Sequence, residues 1–579
     1  MKLTAEEKER LEYLEANDPS LAPVFLEQLP GAHADTLKRL AGSLLREGFA
    51  GEPSSGLSDC RLGAVTIEQV EGYALGRNRI RGRIRAGARE LTSPSELIAS
   101  VRTHQPGLRW DQLALELENG AANLALARAF WQRRASGLAG LGCSDYFDLV
   151  EKLAQEPGFD RALFSETLCI EGHNLHPCAK TRLDLDPRSL VEGSAELEGR
   201  PSIGLFSATP ERVEWAGIQP PRELLEQVLG PLPGGERLPL PVHCWQRQAI
   251  LPMLAPDLEA GDLCPHDWRR EVRSTASFRT LAVSAGYRLK LSVSSQMTST
   301  QRCISPQTTL NGPAVSRLLN GLRCELGADF VPLAEVAGLH YRPHQASPRL
   351  LNCIVREGTD PKLSSGEIPI ACCSLTSQAP VGSGSLLEQA VARHGGGPVA
   401  FMADYARLLV PPHLTLLSCF GLALEAHLQN CIVAFDQGRP SRLLALDWGG
   451  IRAFGPRLSA RGLALPLAPG SVTIAPTIEA ARDKLFYCLY QAHLGEIVLH
   501  LAERFELDEA VLWSQVHQVS AEHLARLERD PRCRAWVRAD REALYAPRLK
   551  HKALTRMRLA PAADYHYVPV ANPLWRQAR

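Results

Sequence analysis

A multidomain α+β protein is what this chain predicts, and three observations carry that reading. The first is length: 579 residues exceed what one ordinary hydrophobic core supports, so two to four domains are expected. The second is helical periodicity at both ends, where apolar residues recur at spacings of three and four. The third is a change of texture between them, with short alternating runs bounded by Gly and Pro. Together these predict a helical N-terminal domain over 1–155, a central mixed-sheet domain over 156–383 and a mainly helical C-terminal domain over 384–579.

The elements follow in chain order. Residues 1–50 read as helical hairpins through LEYLEAN and LKRLAGSLLREGF. A turn-rich GEPSSGLSD stretch precedes TIEQVEGYALGRNRIRGRIRAG, whose alternation predicts strands. Helical patterning returns in SELIASVRTH, WDQLALELENGAANLALARAFWQRRAS and YFDLVEKLAQ. In the centre, GRPSIGLFSATPERVEWAGI, LPLPVHCWQ, FRTLAVSAGYRLKLSVSS and LNCIVREG are β-rich. From about 385, GSLLEQAVARHG, LLSCFGLALEAHLQNCIVAF, APTIEAARDKLFYCLYQAHLGEIVLHLAERF and SAEHLARLERDPRCRAWVRADREAL predict helices, with HGGGP at 394–398 as a turn.

Composition excludes several classes of partner. Lys plus Arg equals Asp plus Glu at 64 each, so no global charge calls for nucleic acid or an anionic membrane. The charged N-terminus lacks a signal-peptide core, and no apolar run reaches the length of a membrane span. A cytoplasmic protein is expected. The fifteen cysteines are scattered without a C-x-x-C, which fits reduced thiols better than a disulfide framework or a zinc site.

Three polar clusters carry the chemistry. In FGLALEAHLQN (420–430) an apolar run suddenly carries Glu425, His427, Gln429 and Asn430, and Asp447 follows in LLALDWGG. Read as a helix, the segment presents oxygen and imidazole groups from buried surroundings, and buried polar groups must be paired or put to use. Two carboxylates and an amide oxygen suit Mg²⁺ held jointly with substrate phosphates. EGHNLHPCAKTRLD (171–184) gathers His173, His176, Lys180 and Arg182, with Pro177 placed to start a helix. In 273–305, Lys290 and Ser292 share one face of a strand, with Arg279, Ser299, Thr300 and Arg302 nearby, as an anion-binding surface requires. Each cluster has a plainer reading beside it: an internally satisfied helix, a solvated basic loop and a half-exposed edge strand. There is no P-loop, no G-x-G-x-x-G fingerprint, no kinase signature and no G-x-S-x-G serine elbow.

These motifs resemble a known family. HNLHPCAKTR is similar to the H-P-x-H-P-x-x-K-x-R signature of the IucA/IucC-type siderophore synthetases, which work without a non-ribosomal peptide synthetase. TASFRT, YRLKLSVSSQMTSTQRCIS, FGLALEAHLQN, LDWGG, HKALTRMRL and YVPVANPLW follow that family's pattern in order, over about 160–579. The resemblance implies a cupped hand of thumb, fingers and palm, often dimeric. It implies an enzyme that uses ATP and Mg²⁺ to adenylate citrate or a related acid, then passes the acyl group to an amine or alcohol. It would place His176 and Lys180 near the phosphates or adenylate, and Ser277, Arg279, Lys290 and Arg302 on ATP and the acid. Glu425, Asn430 and Asp447 would hold Mg²⁺, and His427 would face the acid. Asn174 departs from the family's proline, and Leu183–Asp184 from its Gly–Phe, which leaves the shape of the first loop open. ATP-dependent phosphotransfer and a non-enzymatic scaffold are the rival functions.

Overall fold

The computed structural model describes residues 3–49, 57–104, 106–298, 300–560 and 565–577. Most of the GEPSSGLSD turn and Ser299 lie outside the described residues.

At the N-terminus the helices Ala5–Asn17, Leu21–Arg46 and Trp110–Ala139 pack on one another. Thr4 opens the first with a reciprocal cap: its side chain accepts from the Glu7 N–H and the Glu7 carboxylate accepts from the Thr4 N–H. Phe25, Leu29, Ala32, Leu37, Leu40 and Leu44 recur at helical spacing, and all are buried along Leu21–Arg46. An antiparallel sheet formed from Leu57 to Glu90 shares a core with that helix through Val65, Ile67 and Ile84.

The centre holds two antiparallel sheets over one apolar core. The larger runs in the order Arg273–Ser274, Thr280–Ser284, Tyr287–Leu291, Asn352–Glu357, Glu335–Tyr341, Val213–Gly217. Tyr287–Leu291 is therefore an inner strand, paired on both sides, and not the half-exposed edge that alternation alone allows. Leu289 and Leu291 point into the core, which leaves Lys290 on the opposite face.

A further sheet takes strands from both sides of residue 383: Phe330–Pro332 and Ile368–Ala371 flank Arg439–Ala445 and Cys431–Asp436. The helix Gly397–Phe420 lies in the largest core and packs along Glu509–Leu527. Ile478–Leu485 and Gly495–Arg504 are joined by a π-helical stretch, Phe486–Leu494.

Two expectations fail locally. FGLALEAHLQN is not a helix: Gly421 adopts φ 68° and caps Gly397–Phe420, Leu422–Ala423 is a short strand, and Glu425 and His427 sit on irregular backbone. Pro177 starts no helix either, since Pro177–Lys180 form turns. The first loop is largely buried, with His176 and Lys180 at 2% and 4% exposure, so it is no solvated basic loop.

Candidate active site

One cavity of about 980 Å³ opens between the N-terminal helices, the central sheet and the C-terminal region. Lys180, Ser277, Arg279, Lys290, Arg302, Glu425, His427, Asn430 and Asp447 all line it. His176 does not; it is buried behind the wall, where its Nδ1 accepts from the Cys178 N–H at 2.9 Å. His173, three residues earlier, lines the cavity in its place.

Sheet register aims Lys290. Its Nζ donates to both Asp447 oxygens, at 2.7 and 2.6 Å. Asp447 sits at φ 69°, a left-handed conformation that a non-glycine residue adopts at a cost and that recurs at functional sites. The Gly449 N–H donates to its Oδ1 at 3.1 Å, and Arg356 lies 3.5 Å from its Oδ2 while donating to the fully buried Glu335 at 3.0 Å. Burial pulls the Asp447 carboxyl upward, but Lys290, Arg356 and Arg279 overcome this and hold it far below the usual carboxylate range.

Glu425 has a similar partner. Lys484 Nζ donates to its Oε1 at 2.8 Å, and against the upward pull of burial Lys484 and His427 bring the carboxyl down to about 2. A Cβ at Gly450 would lie 1.8 Å from Glu425 Oε2, so a side chain there would have to displace that carboxylate. Gly449 lies beside the other acid, where a Cβ would stand 3.3 Å from Asp447 Oδ1. Both acids keep a face to the cavity, with side-chain exposures of 24% for Glu425 and 21% for Asp447. They are not sealed structural residues.

The arginines differ. Arg279 donates to the Arg302 and Cys303 carbonyls at 2.8 and 3.3 Å, and Arg302 to Thr298 Oγ1 at 2.7 Å. Neither makes an ion pair among the described residues. Burial and the neighbouring Arg279 push Arg302 down to about 10, so an anion would relieve both. Ser277 closes the tight turn before Arg279, with its carbonyl accepting from the Thr280 N–H at 2.8 Å. Lys180, by contrast, is paired inside the wall with Glu196, which Arg182 also contacts at 2.7 Å.

The loop carrying Glu425, His427 and Asn430 is held from behind. His493, in the π-helical stretch, donates from Nδ1 to the Ala426 carbonyl at 3.1 Å, which leaves Nε2 to accept from the Tyr405 hydroxyl at 2.7 Å. Burial moves His427 below its ordinary value, so its imidazole is neutral at pH 7. Asn430 donates from Nδ2 to the Glu425 carbonyl at 3.1 Å, leaving its amide oxygen as an acceptor.

Among the described residues no three His, Cys, Asp or Glu side chains are grouped to hold a metal by themselves. Glu425, Asn430 and Asp447 offer hard oxygens, two of them ionised, so this donor set fits Mg²⁺ completed by phosphate oxygens and not an all-protein cage. Lys552, Arg556 and Arg558 do not line the cavity: Lys552 lies over the Tyr487 and Tyr565 rings, Arg556 donates to the Glu47 carbonyl, and Arg558 pairs with Glu116. Sequence reasoning missed Arg356, Glu335, Lys484 and Glu196, whose only signal is three-dimensional contact. It also missed the cavity-facing stripe of the Leu21–Arg46 helix, whose spacing was readable.

Comparison with known proteins points one way. The IucA / IucC family model matches residues 161–377, and a model described as ferric iron reductase FhuF-like transporter matches 399–566. The chain is 24% identical over 536 residues to the D-ornithine–citrate ligase of Staphylococcus aureus, covering 84% of this chain and 80% of that one. It superimposes on the petrobactin biosynthesis protein AsbB of Bacillus anthracis with a TM-score of 0.79 at 19% identity, over 100% of this chain and 99% of the other. For ATP-bound aerobactin synthetase IucA of Klebsiella pneumoniae the TM-score is 0.74 at 18% identity, over 93% and 99%. No helix among the described residues is long and apolar enough to cross a membrane.

Proposed function

The chain belongs to the IucA/IucC family, and from that premise we propose that it is an ATP- and Mg²⁺-dependent siderophore synthetase. It adenylates a carboxylate of citrate or a related acid, releases pyrophosphate, and condenses the acyl group with an amine or alcohol to release AMP. One observation carries this reading: the Lys290–Asp447 pair, the Glu425 carboxylate that Lys484 holds, and Arg279 and Arg302, which make no ion pair among the described residues, meet at one cavity. Such a set suits two anions that must meet despite their repulsion. The similarity to a chain solved with ATP bound supports the nucleotide, and the name of the D-ornithine–citrate ligase supports the acid.

The acid's oxygen attacks the α-phosphorus, and the bond to the pyrophosphate oxygen breaks. Lys290 leaves one Asp447 oxygen to donate to a phosphate, while the free N–H groups of Arg279 and Arg302 orient phosphate and acid. Glu425, Asn430 and Asp447 would hold Mg²⁺, which would supply neutralisation of phosphate charge. Neutral His427 stands beside the acyl group. The nucleophile then attacks the acyl carbon, its C–O bond to AMP breaks, and the nucleophile's proton is lost.

Acid-dependent exchange of labelled pyrophosphate into ATP, without nucleophile, tests the reading across citrate, 2-oxoglutarate and related acids. Exchange with one acid is expected and names it. Folded protein that exchanges with none, and makes no AMP with any nucleophile, overturns the reading.

A further inference from the structure

The cavity does not end at His427. The loop that carries His173 touches the Leu21–Arg46 helix, where Arg39 donates to the Glu171 carbonyl at 3.2 Å and Arg46 to the Leu175 carbonyl at 3.4 Å. Both that loop and that helix line the cavity, so the Leu21–Arg46 helix walls a second end of it. Asp35, Lys38, Arg39, Gly42, Ser43 and Arg46 line it at spacings of three and four, which is one helix face.

The charges of this second end are unbalanced in one direction. Among the described residues the carboxylates beside that helix are already paired: Asp35 with Arg128 at 2.6 Å, Glu171 with Arg128 at 2.8 Å, and Glu496 with Arg77 while accepting from Asn174 at 3.0 Å. Two cations are not. Arg46 makes no ion pair among the described residues; its Nη2 reaches only Ser43 Oγ at 3.3 Å and the Leu175 carbonyl at 3.4 Å, and its buried Nε has no acceptor. Lys38 is exposed and has no ion-pair partner among the described residues.

Resting on the synthetase reading above, we infer that the nucleophile is an amine that itself carries a carboxylate, an amino-acid-like amine, whose carboxylate is received by Arg46 and Lys38. A polyamine would bring a second cation to a helix face whose neighbouring acids are paired among the described residues, where like charge repels it. An amino acid would give the guanidinium the acceptor it lacks, through a charge-assisted bond that planar arginine forms well. Its amine then points back toward the acyl carbon beside His427.

The test uses matched pairs differing only by the carboxylate: ornithine with putrescine, lysine with cadaverine, and 2,3-diaminopropanoate with ethylenediamine. AMP release with the acid identified by exchange gives kcat/KM for each. Wild type should favour the best carboxylated amine over its counterpart by roughly 10–100-fold, the worth of one charge-assisted bond. Arg46→Gln should compress that ratio toward one, a change that a merely structural loss, lowering both rates alike, would not produce. Equal use of the pair by wild type, no product from any carboxylated amine, or an unchanged ratio in the variant overturns the inference. So does a variant that raises the acid's KM in exchange while keeping the ratio, because Arg46 would then read the acid. Absence of exchange and of AMP release in wild type instead removes the synthetase reading, and this inference with it.

Discussion

At one end of the cavity Lys290 and Lys484 are each locked onto a carboxylate, whereas at the other Arg46 and Lys38 have none among the described residues. The first arrangement is built by long-range packing: Lys290 and Asp447 are 157 residues apart and Lys484 and Glu425 are 59 apart. The second needs only helix periodicity. Paired charges can trade partners when phosphate and metal arrive, so they suit a site that must reorganise around a polyanion. Unpaired charges suit a site that waits for an anionic group to complete its hydrogen bonding.

The largest expected effect falls on the paired end. Lys290→Ala should lower acid-dependent exchange about 10²–10³-fold, the usual cost of one charged contact in a transition state. Near-normal exchange would remove lysine from the chemistry and leave Asp447 neutralised by Arg356 and Arg279. Gly450→Ala should cost on the order of 10²-fold by displacing Glu425, with little change in thermal stability. If exchange survives, the close approach is packing without consequence. Asp447→Asn should raise the Mg²⁺ concentration for half-maximal exchange roughly tenfold. An unchanged requirement would assign the metal to other oxygens and blur the contrast between the two ends.

The sequence made the helices legible because periodicity is a local property. Lys290 stood out for the same reason, as a charge inside an apolar alternation. FGLALEAHLQN misled because its apolar half adjoins the Gly397–Phe420 helix and its polar half does not continue it. Gly421 within the run was the available stop signal. His176 looked like a ligand because it occupies the motif, yet burial turns it into the wall and exposes His173. The stripe Asp35, Lys38, Arg39, Arg46 was visible, but a polar helix face is ordinarily a solvated one; only the fold shows that it covers a cavity. Glu335 and Lys484 carry no local mark, since their roles exist only through Arg356 and Glu425.

The smallest effect distinguishes a paired carboxylate from an idle one. Glu425 is held at about 2 when folded, against an ordinary glutamate value near 4.3 in the unfolded chain. A depressed carboxyl contributes stability that is fully present above the unfolded value and is lost as pH falls through the folded one. Glu425→Gln leaves Lys484 buried without its anion, so the variant should melt roughly 1–3 °C below wild type at pH 7. That gap should hold constant down to about pH 5 and narrow below about 4.5, as wild type loses the same charge. Paired melting curves at pH 7, 5 and 4 read it directly. A gap that persists undiminished at pH 4 and below would mean that Glu425 stabilises the loop by shape, and that Lys484 is not held there by charge.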